Sequence, residues 1–195
     1  MFGFCIFLNE ELSEATFDYM EAMKNAGFTG IFTSIHIPED DERHTLTRLK
    51  TLANFAKRHS MELMVDISGN ALNKVGLDFK DLTPLLEWGV TGLRMDYGID
   101  NETIANLSHA LTIALNASTI SEKDLGELRT ARANFSNMEA WHNYYPRPET
   151  GLGTRDFKQQ NQWLKANDFT VMTFVPGNKT FRGPLCEGLP TLEKH

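Results

Sequence analysis

Short apolar, β-branched runs alternate along this chain with longer stretches in which apolar residues recur every three or four positions. The longer spacing is that of a helix with one buried face, and the continuous apolar runs are typical of parallel strands buried on both faces. The pattern therefore predicts a strict strand–helix alternation. The predicted strands cover residues 2–8, 30–35, 62–67, 92–96, 111–115, 135–140 and 170–175.

Helix start and stop signals support this alternation. Ser13 and Thr154 stand where a side chain would cap the following helix, and Ser121 with Asp124 resembles a capping pair. Pro38 and the acidic residues 39–42 would open another helix, where negative charge suits the helix dipole. The predicted helices run from Ser13 to near Gly27, from 38 to about 59, over 82–89 and 101–109, and onward from Ser121 and Thr154.

A faint internal repeat indicates how the strands are connected. Residues 27–31 (GFTGI) and 89–93 (GVTGL) are 62 positions apart, and both lie where a helix leads into a strand. Repeated strand–helix units predict parallel strands with crossover helices. A doubly wound sheet would usually carry a glycine-rich phosphate loop after its first strand, and residues 9–11 (NEE) form none. The sequence thus favours an α/β fold of the (β/α) barrel type.

Seven strands are one fewer than a closed barrel of this type needs, and such barrels usually take about 250 residues. We therefore expect residues 1–195 to form a single barrel domain that is open at its C-terminal end, with an eighth strand missing. The first and last strands would then have exposed edges, which invite self-association.

Composition and charge narrow the class of protein. The chain is 41% hydrophobic and 23% charged, with a net charge of −7, so bulk nucleic-acid binding is not expected. No apolar run is long enough to span a membrane. Residues 1–8 lack the basic start and small-residue cleavage site of a signal peptide. Cys5 and Cys186 form no metal or redox motif, and a reduced, cytoplasmic protein is the simplest interpretation.

Polar residues gather where the predicted strands end, which is where barrels of this type hold their active sites. In the third, fourth and fifth strands they form i, i+2 pairs, so both members lie on one face. The candidates along the chain are Asn9, Glu10, Ser34, His36, Asp66, Ser68, Arg94, Asp96, Tyr97, Asn116, Ser118, Glu139, His142, Asn143, Asn178, Lys179 and Arg182.

Three carboxylates near one barrel mouth, Asp66, Asp96 and Glu139, suggest acid–base work on a sugar, since glycosidases commonly use two carboxyl groups. A metal site built from these three with His36 and His142 is an alternative, although the residues lack a tight ligand spacing. Purely structural roles also stay open for several of these side chains. The two aspartates could pair with Arg94 or cap helices, His36 could be structural, and Asn116 could serve its own loop.

The stretch 138–151 (MEAWHNYYPRPETG) is unusually rich in polar and aromatic side chains that can contact a ligand. Its prolines forbid a regular helix through the second half, so the backbone is stiff. Loops that carry such polar and aromatic side chains are often functional. Besides Glu139, His142 and Asn143, the candidates here are Tyr145, Arg147 and Glu149.

Several segments together resemble the 6-phospho-N-acetylmuramidases, a family of TIM-barrel proteins. The similarity spans almost the whole chain, and the segment HNYYPRPETG is its most specific part. The matching segments are GIFTSIHIPED at 30–40, MELMVDIS at 61–68, TGLRMDYG at 91–98, LNAS at 115–118, HNYYPRPETG at 142–151, RGPL at 182–185 and GLPTLE at 188–193.

The resemblance implies hydrolysis of the disaccharide 6-phospho-N-acetylmuramyl–N-acetylglucosamine during the recycling of cell-wall peptidoglycan in bacteria. It also implies a smaller cyclophilin-like domain after the barrel, which we expect to be absent from residues 1–195. No cofactor is expected. The catalytic shortlist stays at Asp66, Asp96 and Glu139, and the resemblance assigns none of them as nucleophile.

An anionic substrate requires local donors on an acidic protein. Arg182 follows the seventh strand, a region where barrels often bind phosphate, and Arg147 lies between two prolines. We expect the substrate-binding residues to be Ser34, His36, Arg94, Asn116, His142, Asn143, Tyr145, Arg147, Glu149 and Arg182. A non-catalytic sugar-phosphate binding or regulatory protein, or a metal-dependent sugar-phosphate enzyme, remains the alternative.

Overall fold

The computed structural model describes residues 2–35, 42–69, 72, 77–143 and 152–174. Within them the strands are β1 (Gly3–Cys5), β2 (Gly30–Ser34), β3 (Glu62–Ile67), β4 (Gly92–Met95), β5 (Thr112–Asn116), β6 (Met138–Trp141) and β7 (Thr170–Met172). The helices are α1 (Glu14–Asn25), α2 (Glu42–Arg58), α3 (Thr83–Trp88), α4 (Asn101–Leu107), α5 (Glu122–Thr130) and α6 (Thr154–Ala166).

The seven strands form one parallel sheet in sequential order, β1 to β7. The sheet curls into an open, TIM-like barrel with its helices outside. The predicted fold class is therefore confirmed. In the described part of the chain, β1 and β7 stand at the two ends of the strand order and do not pair with each other. Self-association through these edges stays a prediction.

The two faces of the sheet bury different clusters. Alternate strand residues such as Ile31, Leu63 and Ile113 point outward and join the main core beneath the helices. The other alternate set packs on the inner, concave face. There Phe32, Met64 and Trp141 form a second cluster with Ala114, Met172 and Phe174. Because side chains alternate along a strand, the strand-end polar residues in phase with this second set also face the barrel interior.

The internal repeat has a structural explanation at the helix ends. Gly27 and Gly89 adopt positive φ angles of 93° and 114°, which glycine tolerates best. In both turns the glycine N–H bonds to a carbonyl three residues back, and the next N–H bonds to one five residues back. This is the Schellman pattern of helix termination. The matching sequences therefore encode one turn that redirects the chain from helix to strand.

Several predicted boundaries need correction. The first strand ends at Cys5 rather than residue 8, although Ile6 still donates to the Phe32 carbonyl at 2.9 Å. The sixth strand does not begin at Phe135, because residues Phe135–Asn137 form a 3-10 turn and the strand starts at Met138. Thr154 is not a cap but the first helical residue, and Gly153 occupies the cap position.

Two helix caps are as predicted. The Ser13 side chain accepts from Thr16 N, and Ser121 with Asp124 forms a reciprocal capping box at the start of α5. The predicted opening of the second helix at residues 38–41 lies outside the described residues. The seventh strand was predicted to run to residue 175, but it ends at Met172.

Candidate functional site

Several of the predicted site residues lie in one row across neighbouring strands of the sheet. The strand register aligns Ser34 with Asp66, Asp66 with Arg94, Arg94 with Ala114, and Ala114 with Glu139. All five residues are in phase with the inner-face cluster, so Ser34, Asp66, Arg94 and Glu139 point into the barrel above its apolar floor. Asp66 and Arg94 lie toward the carboxyl ends of β3 and β4, whereas Glu139 is the second residue of β6.

Arg94 is the centre of the polar contacts in this row. Its side chain is only 5% exposed, and its Nη1 donates to Asp66 Oδ1 at 2.6 Å. Nη2 donates to Oδ1 of Asn143, which follows β6. The buried Nε has no hydrogen-bond partner among the described residues. The arginine thereby joins β3, its own strand and the segment that leaves β6.

Asp66 is held from two sides. One carboxylate oxygen accepts from Arg94, and the other accepts from the Ser34 hydroxyl at 3.2 Å. Burial raises the pKa of the Asp66 carboxyl above its ordinary value; the Arg94 guanidinium opposes this rise, and the charge of Asp96 adds to it. A carboxyl group whose pKa is raised by burial is suited to carry a proton to a leaving group.

Asp96 lies just past the end of β4 and is more open to solvent, with its side chain 28% exposed. Its Oδ1 is 3.9 Å from Arg94 Nη1, the same atom that contacts Asp66. The Oδ1 atoms of the two aspartates are therefore no farther apart than the sum of the two distances, about 6.5 Å. Two carboxylates that differ in their exposure to solvent thus lie within ion-pair distance of the same guanidinium.

Glu139 occupies the far end of the same row. Its Oε2 accepts a hydrogen bond from Trp141 Nε1 at 2.7 Å, and the two side chains share the inner face of β6. The Trp141 ring packs against Phe32 and Phe174, with ring centroids 5.9 Å and 5.8 Å away. Trp141 is a site residue that the sequence did not predict, and its i, i+2 spacing from Glu139 was the available signal.

Asn116 contacts its own loop. Its Oδ1 accepts from the backbone N–H of Ser118 at 3.0 Å, as in a turn stabilised by an asparagine side chain. This contact agrees with the loop-stabilising role that the sequence left open. A substrate contact of Asn116 stays a prediction.

His142 lies apart from the concave face. It is 1% exposed, its Nε2 is 2.7 Å from Asn161 Oδ1, and its ring is 4.3 Å from that of Phe157. Both partners belong to α6, while Nδ1 is 3.3 Å from the Ser118 hydroxyl. Because an amide oxygen only accepts, Nε2 carries the hydrogen that bonds to Asn161. Asn161, inside a helix, gave no sequence signal for this contact.

Seven of the predicted residues lie outside the described part of the chain. They are His36, Tyr145, Arg147, Glu149, Asn178, Lys179 and Arg182. Among the described residues, no group of three or more His, Cys, Asp or Glu side chains could hold a metal ion. No described helix has the length and apolarity required to cross a membrane.

A comparison with protein families shows which family the chain is related to. The family described as "6-phospho-N-acetylmuramidase, N-terminal" matches residues 2–195. The chain belongs to this family. The resemblance found in the sequence is thereby confirmed. The comparison with curated proteins found no match.

Solved structures show how the muramidase-family chain relates to longer proteins. A crystal structure of a conserved Enterococcus faecalis protein of unknown function is 53% identical, with a TM-score of 0.90 over 100% of this chain and 54% of that one. An uncharacterized B. cereus protein is 26% identical, with a TM-score of 0.69 over 87% of this chain and 46% of that one. The chain thus spans about half the length of these two relatives.

A more distant likeness concerns the fold alone. The 7,8-dihydropteroate synthase of Vibrio fischeri shares 8% identity, with a TM-score of 0.62 over 88% of this chain and 71% of that one.

Proposed function

We propose that this protein is a glycoside hydrolase that cleaves 6-phospho-N-acetylmuramyl–N-acetylglucosamine in the recycling of bacterial peptidoglycan. The observation that carries the proposal is the pairing of Asp66 and Asp96 through Arg94 at the carboxyl ends of β3 and β4. Family membership supports the substrate class. The reaction would take place in the cytoplasm and without a cofactor, as the sequence predicts.

The two aspartates differ in ways that suit different tasks. Burial raises the pKa of Asp66, so Asp66 is our candidate for the acid that protonates the glycosidic oxygen. Asp96, which is more exposed, would act on the other side of the bond as nucleophile or base. Glu139 remains the alternative to Asp66 as the partner of Asp96, because it stands in the same row of the sheet as Asp66.

The bound on the Asp66–Asp96 separation suggests a stereochemical outcome. Carboxyl groups lie about 5–5.5 Å apart in retaining glycosidases and about 6.5–9.5 Å apart in inverting ones. The two oxygens cannot be farther apart than about 6.5 Å, the lower edge of the inverting range, so the pair fits the retaining spacing better. We therefore expect the freshly released sugar to keep its anomeric configuration, which proton NMR of the early product can read.

Phosphate recognition is assigned to arginines of the sequence stretches after β6 and β7. A guanidinium fork matches phosphate oxygens better than a lysine does. Arg182 would hold the 6-phosphate, and Arg147 would hold the phosphate or the lactyl carboxylate. Changing either to lysine should weaken the phosphorylated disaccharide strongly and the unphosphorylated one far less. Equal losses on both substrates would count against this assignment.

The deciding experiment measures turnover. The phosphorylated disaccharide is incubated with the wild-type protein, Asp66→Asn, Asp96→Asn and Glu139→Gln, and the two monosaccharides are quantified. Loss of an acid–base group should lower the rate by about 10²–10⁴. Asp96→Asn is expected to fall in this range together with one of the other two. Near-wild-type rates in Asp96→Asn, or in both others, would refute the assignment.

The competing functions can be distinguished by measuring disaccharide binding with calorimetry and by measuring turnover in the presence of a chelator. A non-catalytic binding protein would bind the disaccharide phosphate without releasing monosaccharides. A metal-dependent enzyme would lose its turnover with EDTA and regain it when a divalent ion is returned. The proposed hydrolase should be indifferent to the chelator.

A further inference from the structure

Arg94 contacts groups from three separate parts of the sheet. It reaches Asp66 on β3 at 2.6 Å, stands 3.9 Å from Asp96 at the end of its own strand, and donates through Nη2 to Asn143 after β6. Asn143 is also the residue from which the chain enters the stretch 144–150. A planar guanidinium fixes the directions of its bonds, so these partners are held relative to one another.

The surroundings of Arg94 are unfavourable for direct contact with a substrate. Its side chain is 5% exposed, against 15% for Asp66 and 28% for Asp96. Both terminal nitrogens already donate to protein oxygens. The guanidinium has further N–H donors, but with the side chain only 5% exposed a phosphate or sugar could reach them only if a protein partner moved away. That movement would leave a buried charge or amide uncompensated. The two carboxylates are thus more open to solvent than the arginine that contacts them.

We infer that Arg94 is a positioning residue: it orients Asp66 and Asp96 and anchors Asn143, and it does not itself bind the substrate. The sequence assigned Arg94 to substrate binding, and that assignment stays a prediction that competes with this one. The inference rests on the proposed function for its catalytic meaning, whereas the positioning of Asp66 can be measured without any turnover.

The positive charge of Arg94 is the second part of its positioning role, because it acts on the protonation of Asp66. The Arg94 guanidinium opposes the rise that burial imposes on the pKa of Asp66. Removing the positive charge should therefore raise that pKa further. Lysine would keep the charge but not the fork, so Arg94→Lys should hold the pKa of Asp66 close to that of the wild type while releasing Asn143.

The first experiment follows the carboxyl carbon of Asp66 by 13C NMR during a pH titration, in the wild type, Arg94→Lys and Arg94→Gln. The Asp66 titration should move to higher pH in Arg94→Gln and much less in Arg94→Lys. Arg129→Lys serves as the matched control, because that arginine makes an exposed bond to Asn167. An unchanged Asp66 titration in Arg94→Gln would overturn the inference.

Arg94→Gln leaves the Asp66 carboxylate without its charged partner and can fail to fold. The double variant Asp66→Asn/Arg94→Gln keeps the test decisive, since both partners are then neutral. It should unfold at a higher urea concentration than Arg94→Gln alone. If the second change brings no recovery, the pair is not coupled and the inference is wrong.

The second experiment separates positioning from binding by kinetics. For Arg94→Lys we expect kcat to fall at least tenfold, with the KM values of the phosphorylated and unphosphorylated disaccharides changed by the same factor. A retained kcat with a loss confined to the phosphorylated substrate would show Arg94 to be a phosphate ligand and would overturn the inference. If the wild type itself shows no turnover, the proposed function fails, and the Asp66 titration still decides this inference.

Discussion

Trp141 donates a 2.7 Å hydrogen bond from its indole nitrogen to the carboxylate of Glu139, two residues earlier on the same strand. The indole ring is anchored by Phe32 and Phe174, so the direction of the bond is set by the aromatic floor of the barrel. An apolar cluster that fills the barrel interior thereby also fixes one of the candidate acids. This relationship can be tested by removing the indole N–H alone.

Trp141→Phe should keep most of the ring packing and lose the hydrogen bond. Because the acceptor is a carboxylate on a half-buried surface, we expect the free energy of unfolding to fall by about 1–3 kcal/mol. Urea denaturation measures this change. Trp163→Phe is the matched control, since Trp163 donates to Glu122 on the exposed side of the protein. The hydrogen bond of Trp163 should contribute less to the free energy of unfolding. An equal loss of unfolding free energy in both variants would contradict the expectation.

Asp66 should give the stability of the protein a characteristic pH dependence. Its pKa in the folded state is raised, so the folded chain holds the proton more tightly than the unfolded chain. The stabilisation from this group is present below the ordinary pKa and is lost as pH rises through the folded value. Asp66→Asn should therefore show a smaller decline of unfolding free energy with rising pH, measured by urea denaturation in buffers above pH 4.

Asp100→Asn supplies a control of opposite sign. Hydrogen bonds from Thr103 at the start of α4 lower the pKa of Asp100 below its ordinary value. Its stabilisation is present above the ordinary pKa and is lost as pH falls, so its removal should flatten the acid side of the profile. Parallel pH profiles for the wild type and Asp66→Asn would contradict the prediction for Asp66.

The contact of His142 with Asn161 should behave as a structural clamp between β6 and α6. His142→Ala and Asn161→Ala should each destabilise the fold, and the double variant should cost less than the sum of both. A coupling of about 1 kcal/mol is expected for a buried hydrogen bond of this kind. The exposed pair Arg129 and Asn167 provides a control cycle with a smaller coupling. Additive effects at His142 and Asn161 would show that the clamp contributes nothing.

The loops after β3 and β4 are pressed together at Gly69 and Gly98. Gly69 N donates to the Tyr97 carbonyl at 2.8 Å, and a Cβ on Gly69 would lie 2.7 Å from the carbonyl carbon of Gly98 and closer still to its oxygen. Gly69→Ala should therefore shift the backbone beside Asp66 and Asp96 and destabilise the fold by about 1–3 kcal/mol. Chemical denaturation and the turnover assay both report on this change.

Gly126→Ala, unlike Gly69→Ala, is expected to stabilise the protein. Gly126 lies inside α5, and nothing stands within 4 Å of the position a Cβ would take. The substitution should raise the unfolding free energy by about 0.5–1 kcal/mol, because alanine loses less backbone entropy in a helix. If Gly69→Ala were as well tolerated, the close approach of the two loops would be refuted.

The order and direction of the seven strands could be predicted from the sequence, as could the polar character of most strand ends. Local signals account for this success. Apolar runs encode buried strands, Ser121 and Asp124 cap a helix, and the repeated glycine turn at residues 27 and 89 redirects the chain into a strand. The strand period of two also predicted that Asp66 and Ser68, Arg94 and Asp96, and Asn116 and Ser118 each share one face of their strand.

Which of these side chains contact one another depends on the tertiary fold. Register and curvature join Arg94 to Asp66 on one neighbouring strand and to Asn143 beyond β6, contacts between residues 28 and 49 positions apart. His142 and Asn143 are adjacent in sequence, yet one packs beneath α6 and the other bonds to Arg94. Side chains of consecutive residues in extended chain point to opposite faces, and the packing of helix and sheet then assigns each face its environment.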